Sequence, residues 1–271
     1  LSRLILSRRG LVVPALFFAC CQWVLAGCAG LPQSIAVSAL ERDEVETAFL
    51  QKIALSKQCL NLDAEVTVSY SSFLQDATLS GYLQVKSPAL LKFVAINPLG
   101  QPFIVLVTDG ERFRYLSVPD AKVYDGSVHA KAFSRYAPKG LDPGLAFYWL
   151  AGMPPPDRFS ILGVSRDSNG HYWVELCCGP ESIESRILYD KEANVVKRHI
   201  ALDRRGRIVI DVRYDDFTDN TCGFPGKVIV SSLENNGTLE IYLSDFVLDA
   251  DLPRGDFVID PPTGFKKVLV Q

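Results

Sequence analysis

The sequence predicts a mainly β fold with some α: an incomplete antiparallel β-barrel, preceded by one helix and carrying a short second helix as a lid or plug. Three observations predict it. Apolar and polar residues alternate with a period of two in one run after another, the turn signals between the runs are short enough for hairpins, and only two stretches break into helical spacing. A meander of hairpins with one apolar face must curl around that face or cover it.

The elements follow in chain order. Arg3, Arg8 and Arg9 precede an apolar run from Leu11 to Val24, which leads into Leu25-Ala26-Gly27-Cys28. Positive, apolar, small is the order of a secretory signal, and the run is short for a membrane span. Leu1 stands where Met is usual and reads as an alternative start. Leu-Ala-Gly-Cys resembles the bacterial lipobox, which implies cleavage before Cys28, diacylglycerol on its thiol and an N-acyl chain; no other cofactor is expected. Each acyl CH₂ buried in a bilayer contributes about 0.8 kcal/mol, so two or three chains anchor a domain stably. Ala29 follows the cysteine, where diderm bacteria commonly use Asp to retain a lipoprotein in the inner membrane. Resemblance to that rule places the chain at the outer membrane with its domain facing the periplasm. The expected organisation is a signal peptide over 1–27, a lipidated tether over 28–37, and one domain with a C-terminal extension over 38–271.

Ser38 and Glu41 form a capping box, and Leu40, Val45, Ala48, Phe49 and Ile53 follow at roughly helical spacing, predicting an amphipathic helix to about Cys59. The period then switches to two. Leu62, Ala64, Val66, Val68 and Tyr70 alternate with Asp63, Glu65, Thr67 and Ser69, a strand with one wet face. The alternation returns in Leu79, Gly81, Leu83 and Val85, in Phe113 and Tyr115, in Tyr172, Val174 and Leu176, and in Leu239, Ile241 and Leu243. Asp109-Gly110, Ser168-Asn169-Gly170, Lys191 to Asn194, Arg205-Gly206 and Asn236-Gly237 are hairpin signals between strands. Asp142-Pro143 opens, and Gly152 with Pro154 closes, a short helix. Its residues Leu145, Phe147, Tyr148, Trp149 and Leu150 are apolar on every side, which suits either a plug in the open end of the sheet or a lid over an apolar cavity.

Composition excludes several functions. A formal net charge of -3 lacks the basic excess of a nucleic-acid binder, and Arg204, Arg205 and Arg207 surround Gly206 as a solvated turn. Of seven cysteines, Cys59, Cys177, Cys178 and Cys222 remain once the signal is removed and Cys28 is lipidated. One or two disulfides are possible, with the connectivity open and at most one of the adjacent pair facing a given partner. His129, His171 and His199 are spread over different segments with no ligand spacing, so no metal site is expected. Nothing resembles a nucleophile elbow, a Ser-x-x-Lys pair or a phosphate-binding glycine loop, and no catalytic residue is assigned.

Three stretches in one order carry a family resemblance: Asn97-Pro98-Leu99-Gly100, Tyr148-Trp149-Leu150-Ala151-Gly152-Met153-Pro154, and Gly223-Phe224-Pro225-Gly226 leading to Ser244-Asp245-Phe246. Together they resemble the LolA/LolB superfamily, and the lipobox in front matches its outer-membrane receptor branch, LolB. The resemblance spans about residues 45 to 248. It implies an apolar cavity for the acyl chains of lipoproteins or another amphiphile, a periplasmic LolA-like donor, and delivery to the outer membrane by a monomer. The alternating positions that would line the cavity are Val66, Val68, Leu83, Val85, Phe93, Val105, Phe113, Tyr115, Tyr172, Val174, Leu239 and Ile241. Pro98, Leu99 and Gly100 match the family's membrane-insertion loop, although Leu99 could instead pack over the barrel edge. From Asp249 to Gln271 the chain departs from the family pattern, which allows another edge strand or a different cargo. The competing reading is a non-enzymatic scaffold lipoprotein of the same fold with a filled core.

Overall fold

A computed structural model describes residues 31–72, 76–131, 142–155, 158–177, 185–218, 222–232 and 237–271. Cys28, the signal segment and Cys178 lie outside them, and the unit from Ser34 to Gln271 carries the fold. Strand β1 is Ile35–Ala36 and helix α1 is Ala39–Ser56; then come β2 Asn61–Ser71, β3 Asp76–Lys86, β4 Leu90–Ile96, β5 Pro102–Thr108, β6 Arg112–Ser117 and β7 Lys122–Ser127. A 3-10 turn, Pro143–Leu145, leads into helix α2, Ala146–Ala151. There follow β8 Ser160–Arg166, β9 Tyr172–Cys177, β10 Ser185–Asp190, β11 Val195–Leu202, β12 Ile208–Phe217, β13 Pro225–Ser232, β14 Gly237–Leu248 and β15 Lys266–Val270.

Among the described residues these strands form one curled, unclosed sheet, ordered β1-β8-β9-β10-β11-β12-β13-β14-β2-β3-β4-β5-β6-β7-β15. It is two meanders, β2 to β7 and β8 to β14, joined where β14 pairs with β2, Ile241 opposite Val68. All pairings are antiparallel except that of β15 with β7. The predicted turns at Asp109-Gly110, Ser168 to Gly170, Lys191 to Asn194 and Arg205-Gly206 each join neighbouring strands, and Asn236 of the fifth, Asn236-Gly237, lies outside the described residues.

The helix caps are the expected ones. The Ser38 hydroxyl accepts from the Glu41 backbone N–H at 3.3 Å, and α1 buries Val45, Phe49, Lys52, Ile53 and Ser56. Leu40 is not on that face: it is 72 % exposed, one turn before the helix meets the sheet. Asp142 accepts from the Gly144 N–H at 2.8 Å to start the second helical stretch, and Gly152, at φ 71, ends α2 in the left-handed region that suits glycine. Ile35 and Ala36, expected in the tether, pair with Arg166 and Ser165 of β8.

One apolar cluster fills the inner side of the second meander. Val45, Phe49 and Ile53 of α1 and Phe147, Leu150 and Ala151 of α2 pack with Val174, Leu176, Ile187, Tyr189, Ile210, Val212 and Tyr214. Cys59 and Cys222 form a disulfide that ties the end of α1 to the loop before β13. The outer side of the first meander has a different cover. After β14 the chain turns across it: the Lys86 ammonium donates to the Leu252 carbonyl at 2.8 Å, and the Arg114 guanidinium to the Ile259 carbonyl at 2.6 Å. Leu252 and Phe257 of this strap are buried, as are Val107, Leu116 and Val123 on the strands beneath. The extension then ends as edge strand β15.

Candidate functional site

Pairing register decides which side chains share a face, because residues directly opposite each other in a ladder project to the same side. Val66, Val68, Leu83, Val85 and Phe93 lie on the inner side of β2, β3 and β4, and Leu239 and Ile241 continue that face on β14. Phe113 and Tyr115 bring it to β6, while Tyr172 and Val174 belong to the inner side of β9. Eleven of the twelve predicted lining residues therefore share one surface. Val105 does not. It stands opposite Val94 and Leu116 on the outer side, under the C-terminal strap. The cause is a bulge at Ala95/Ile96, where Ala95 pairs with Ile104 but Ile96 pairs with Pro102, so Phe103 is an extra residue and the alternation of β5 changes phase.

Burial varies along this surface. Where α1 and α2 cover it, Leu62, Ala64, Val66, Leu83, Val85 and Val174 are buried. Farther along the same inner face, Leu91, Phe93, Ile104, Leu106, Tyr115 and Tyr124 of β4 to β7 are only half-buried, and so are Val68, Leu239 and Ile241 towards the far ends of their strands. Tyr115 and Tyr124 face one another with ring centroids 5.8 Å apart. The result is an apolar inner wall, partly open to solvent, beside a packed core.

Helix α2 separates the two. Phe147 is fully buried against Phe224, with centroids 6.2 Å apart, and Leu150 is buried too, whereas Leu145, Tyr148 and Trp149 are half-buried at the margin. Trp149 stacks on His199 at 4.4 Å, and its carbonyl accepts from the Tyr214 hydroxyl at 2.9 Å. Burial pushes the His199 pKa down to about 4, so the ring is neutral at physiological pH, its Nε2 3.1 Å from the Ser185 hydroxyl. The helix therefore plugs the core at one end and offers an aromatic border to the open wall at the other.

The loop joining β4 to β5 projects from the end of the sheet remote from α1. The Asn97 side-chain oxygen accepts from the backbone N–H of Leu99 at 2.9 Å and of Gln101 at 3.0 Å, and the Gly100 N–H donates to the Asn97 carbonyl. Gly100 supplies the positive φ of 76° that this tight turn needs. With its N–H groups thus satisfied internally, the loop holds Leu99 outward, 82 % exposed, rather than packed on the barrel edge.

Other candidate chemistry is placed as follows. His171 sits 3.6 Å from Asp167 and 3.4 Å from Asp190, and His129 lies 3.4 Å from Glu111. Among the described residues no group of three or more His, Cys, Asp or Glu is placed to hold a metal ion. A hollow of about 300 Å³ lined by Asp63, Tyr82, Gln84, Lys92 and Val94 opens on the outer side, where its polar walls do not suit a hydrocarbon chain. Sequence reasoning missed Ile104, Leu106 and Tyr124 as inner-wall residues. The first two sit in the unbroken apolar run from Phe103 to Val107, and Tyr124 adjoins Val123 in a stretch too short to show a period.

The fold is an unclosed β-barrel with helices on its inner side. No family profile matches the sequence, and no curated protein does. Among solved structures, the chain is similar to a LolA superfamily protein from Nitrosomonas europaea at 10 % identity and TM-score 0.55, over 79 % of this chain and 97 % of that one. An outer membrane lipoprotein-sorting protein domain from Vibrio parahaemolyticus matches at 11 % identity and TM-score 0.54, over 81 % and 97 %. A DUF1329 family protein from Desulfovibrio piger matches at 12 % identity and TM-score 0.55, over 79 % and 97 %. These likenesses establish the fold.

Proposed function

We propose that this chain is a LolB-like lipoprotein of the outer membrane, anchored by acyl chains on Cys28, that binds the acyl chains of lipoproteins or a related amphiphile and delivers them to the membrane. The observation that carries the reading is the half-buried apolar wall of β4 to β7 on the inner side of an unclosed sheet. Hydrocarbon asks for a dry concave surface without directional bonds, and covering such a wall contributes roughly 25 cal/mol per Å² of apolar area. A chain lying there would do what α1 and α2 do for the second meander. The exposed Leu99 on its internally bonded loop supports delivery, since an apolar tip whose backbone N–H groups are already paired can enter the lipid surface. In this reading a soluble periplasmic carrier hands over the cargo, and no bond is made or broken.

The test is direct. The mature chain carrying Cys28→Ala, exported behind an ordinary cleavable signal, is purified without detergent, extracted with organic solvent and examined by mass spectrometry. Co-purified acyl lipid near one per chain is the expected result. A lipid-free protein that also fails to keep an acylated lipoprotein soluble rejects the reading and leaves the scaffold alternative. Leu99→Glu is expected to keep the lipid but lose transfer to vesicles.

A further inference from the structure

The open wall has a charged rim. Lys122 begins β7 and Lys266 begins β15, and the parallel register places them directly opposite each other. Lys122 is also opposite Ser117, which is opposite Ile104, so both ammonium-bearing side chains belong to the inner face, one step beyond Tyr115, Tyr124 and Val268. Adjacent strands lie about 4.8 Å apart, and like charges directly opposite destabilise a sheet. Neither ammonium has an acidic partner among the described residues. Asp120, in the loop between β6 and β7, accepts from the Ser117 hydroxyl at 2.8 Å, and its charge acts on Tyr115 from the same face, while Lys267 turns to the other face, 3.6 Å from Asp125.

The rim is continuous with the Leu99 loop. The Val118 N–H donates to the Phe103 carbonyl at 2.9 Å, just after that loop, and the Lys266 N–H donates to the Ala121 carbonyl at 2.9 Å. Leu99, Val118 and the lysine pair therefore lie at the same end of the sheet, next to the inner wall. Lys266 belongs to the C-terminal extension, so the second cation comes from the part of the chain that departs from the LolB pattern.

We propose that Lys122 and Lys266 hold the headgroup of the amphiphile whose chains lie on the inner wall, making a phospholipid of net negative charge, rather than a zwitterionic one, the preferred cargo. The idea rests on the acyl-binding reading and adds the headgroup to it. Ammonium groups on two directly paired residues of neighbouring strands can both donate to one phosphate, and the anion removes the repulsion between them. Tyr115 and Tyr124, below the pair, give the glycerol region an amphipathic border.

The experiment compares two fluorescent lipids with identical acyl chains, one with a phosphatidylglycerol and one with a phosphatidylcholine headgroup, titrated against the mature Cys28→Ala chain. The expected result is about tenfold tighter binding of the anionic lipid, a preference that shrinks in high salt. Replacing both lysines with Gln is expected to bring the ratio of affinities to about one, and replacing both with Arg to restore it. Equal affinity for the two lipids in the unaltered chain, or a ratio unmoved by the double Gln variant, overturns the headgroup site alone. Failure of both lipids to bind overturns the acyl-binding reading with it.

Discussion

The inner faces of β8 to β14 and of β4 to β7 are built from similar residues, yet the first is packed and the second half open. On the first, Val174, Leu176, Ile187, Tyr189, Ile210, Val212 and Tyr214 are buried beneath α1 and α2. On the second, Phe93, Ile104, Leu106, Tyr115 and Tyr124 keep part of their surface in water, while the outer side of the same strands is covered by the strap through Leu252 and Phe257. The first meander is covered from outside by the strap and the second from inside by the helices, the second also burying a smaller cluster of Trp173, Ile200 and Leu202 on its outer face. The first meander is thereby stabilised from outside and its inner wall left available.

The predictions sharpen or break this contrast. The largest effect is expected in the packed half: Phe147→Ala, which empties a fully buried site between α2 and Phe224, should destabilise the domain by about 3–5 kcal/mol in chemical denaturation. A loss below about 1 kcal/mol would mean that α2 is a mobile lid instead of a plug.

Next is Lys52, buried on α1 with its ammonium donating to the Cys222 carbonyl; burial lowers its pKa to about 8. The unfolded chain then binds more protons than the folded one between about pH 8 and pH 10.5, so this lysine should make stability rise with pH across that window, by about 3 kcal/mol in all. Lys52→Met should abolish that increment, measured as the difference between the two stability–pH profiles.

In the open half the outer side contains the salt-bridged Asp125, held at a pKa of about 2 by the hydrogen bonds from Arg114 and Arg112. A depressed carboxylate contributes stability above its unfolded pKa of about 3.8 and loses it as pH falls towards 2. Asp125→Asn should flatten the acid limb of the stability profile by about 2 kcal/mol. The smallest stability effect belongs to the inner wall itself. Ile104→Ala should cost only about 1 kcal/mol, since part of that side chain is already in water, yet it should weaken lipid binding more than Phe147→Ala weakens it per unit of stability lost.

Much of this architecture was legible from local pattern. The Ser38 cap, the Asp142 start and Gly152 stop of the second helix, the hairpin turns, and the alternating faces of β2, β3, β9 and β14 were all read from residues close in sequence. The failures share a cause, which is covering from far along the chain. Phe103 to Val107 are apolar throughout because β5 has the strap on one side and the inner wall on the other, so the run has no visible period, and the bulge beside Phe103 moved Val105 to the outer face. Leu40 fits the helical spacing but precedes the turn that meets the sheet. His199 offered no sign of its burial beneath Trp149, because that contact joins residues fifty positions apart. The lysine pair was invisible for the same reason: nothing near Lys122 announces that β15 will lie beside it.

The central claim is that hydrocarbon occupies the inner wall of β4 to β7. A fatty acid carrying a photoactivatable diazirine at mid-chain, bound to the mature Cys28→Ala chain, irradiated and mapped by peptide mass spectrometry, tests it most directly. The account predicts adducts on Phe93, Ile104, Leu106, Tyr115 or Tyr124. Adducts confined to the outer face, or spread over the surface in proportion to exposure, would contradict it.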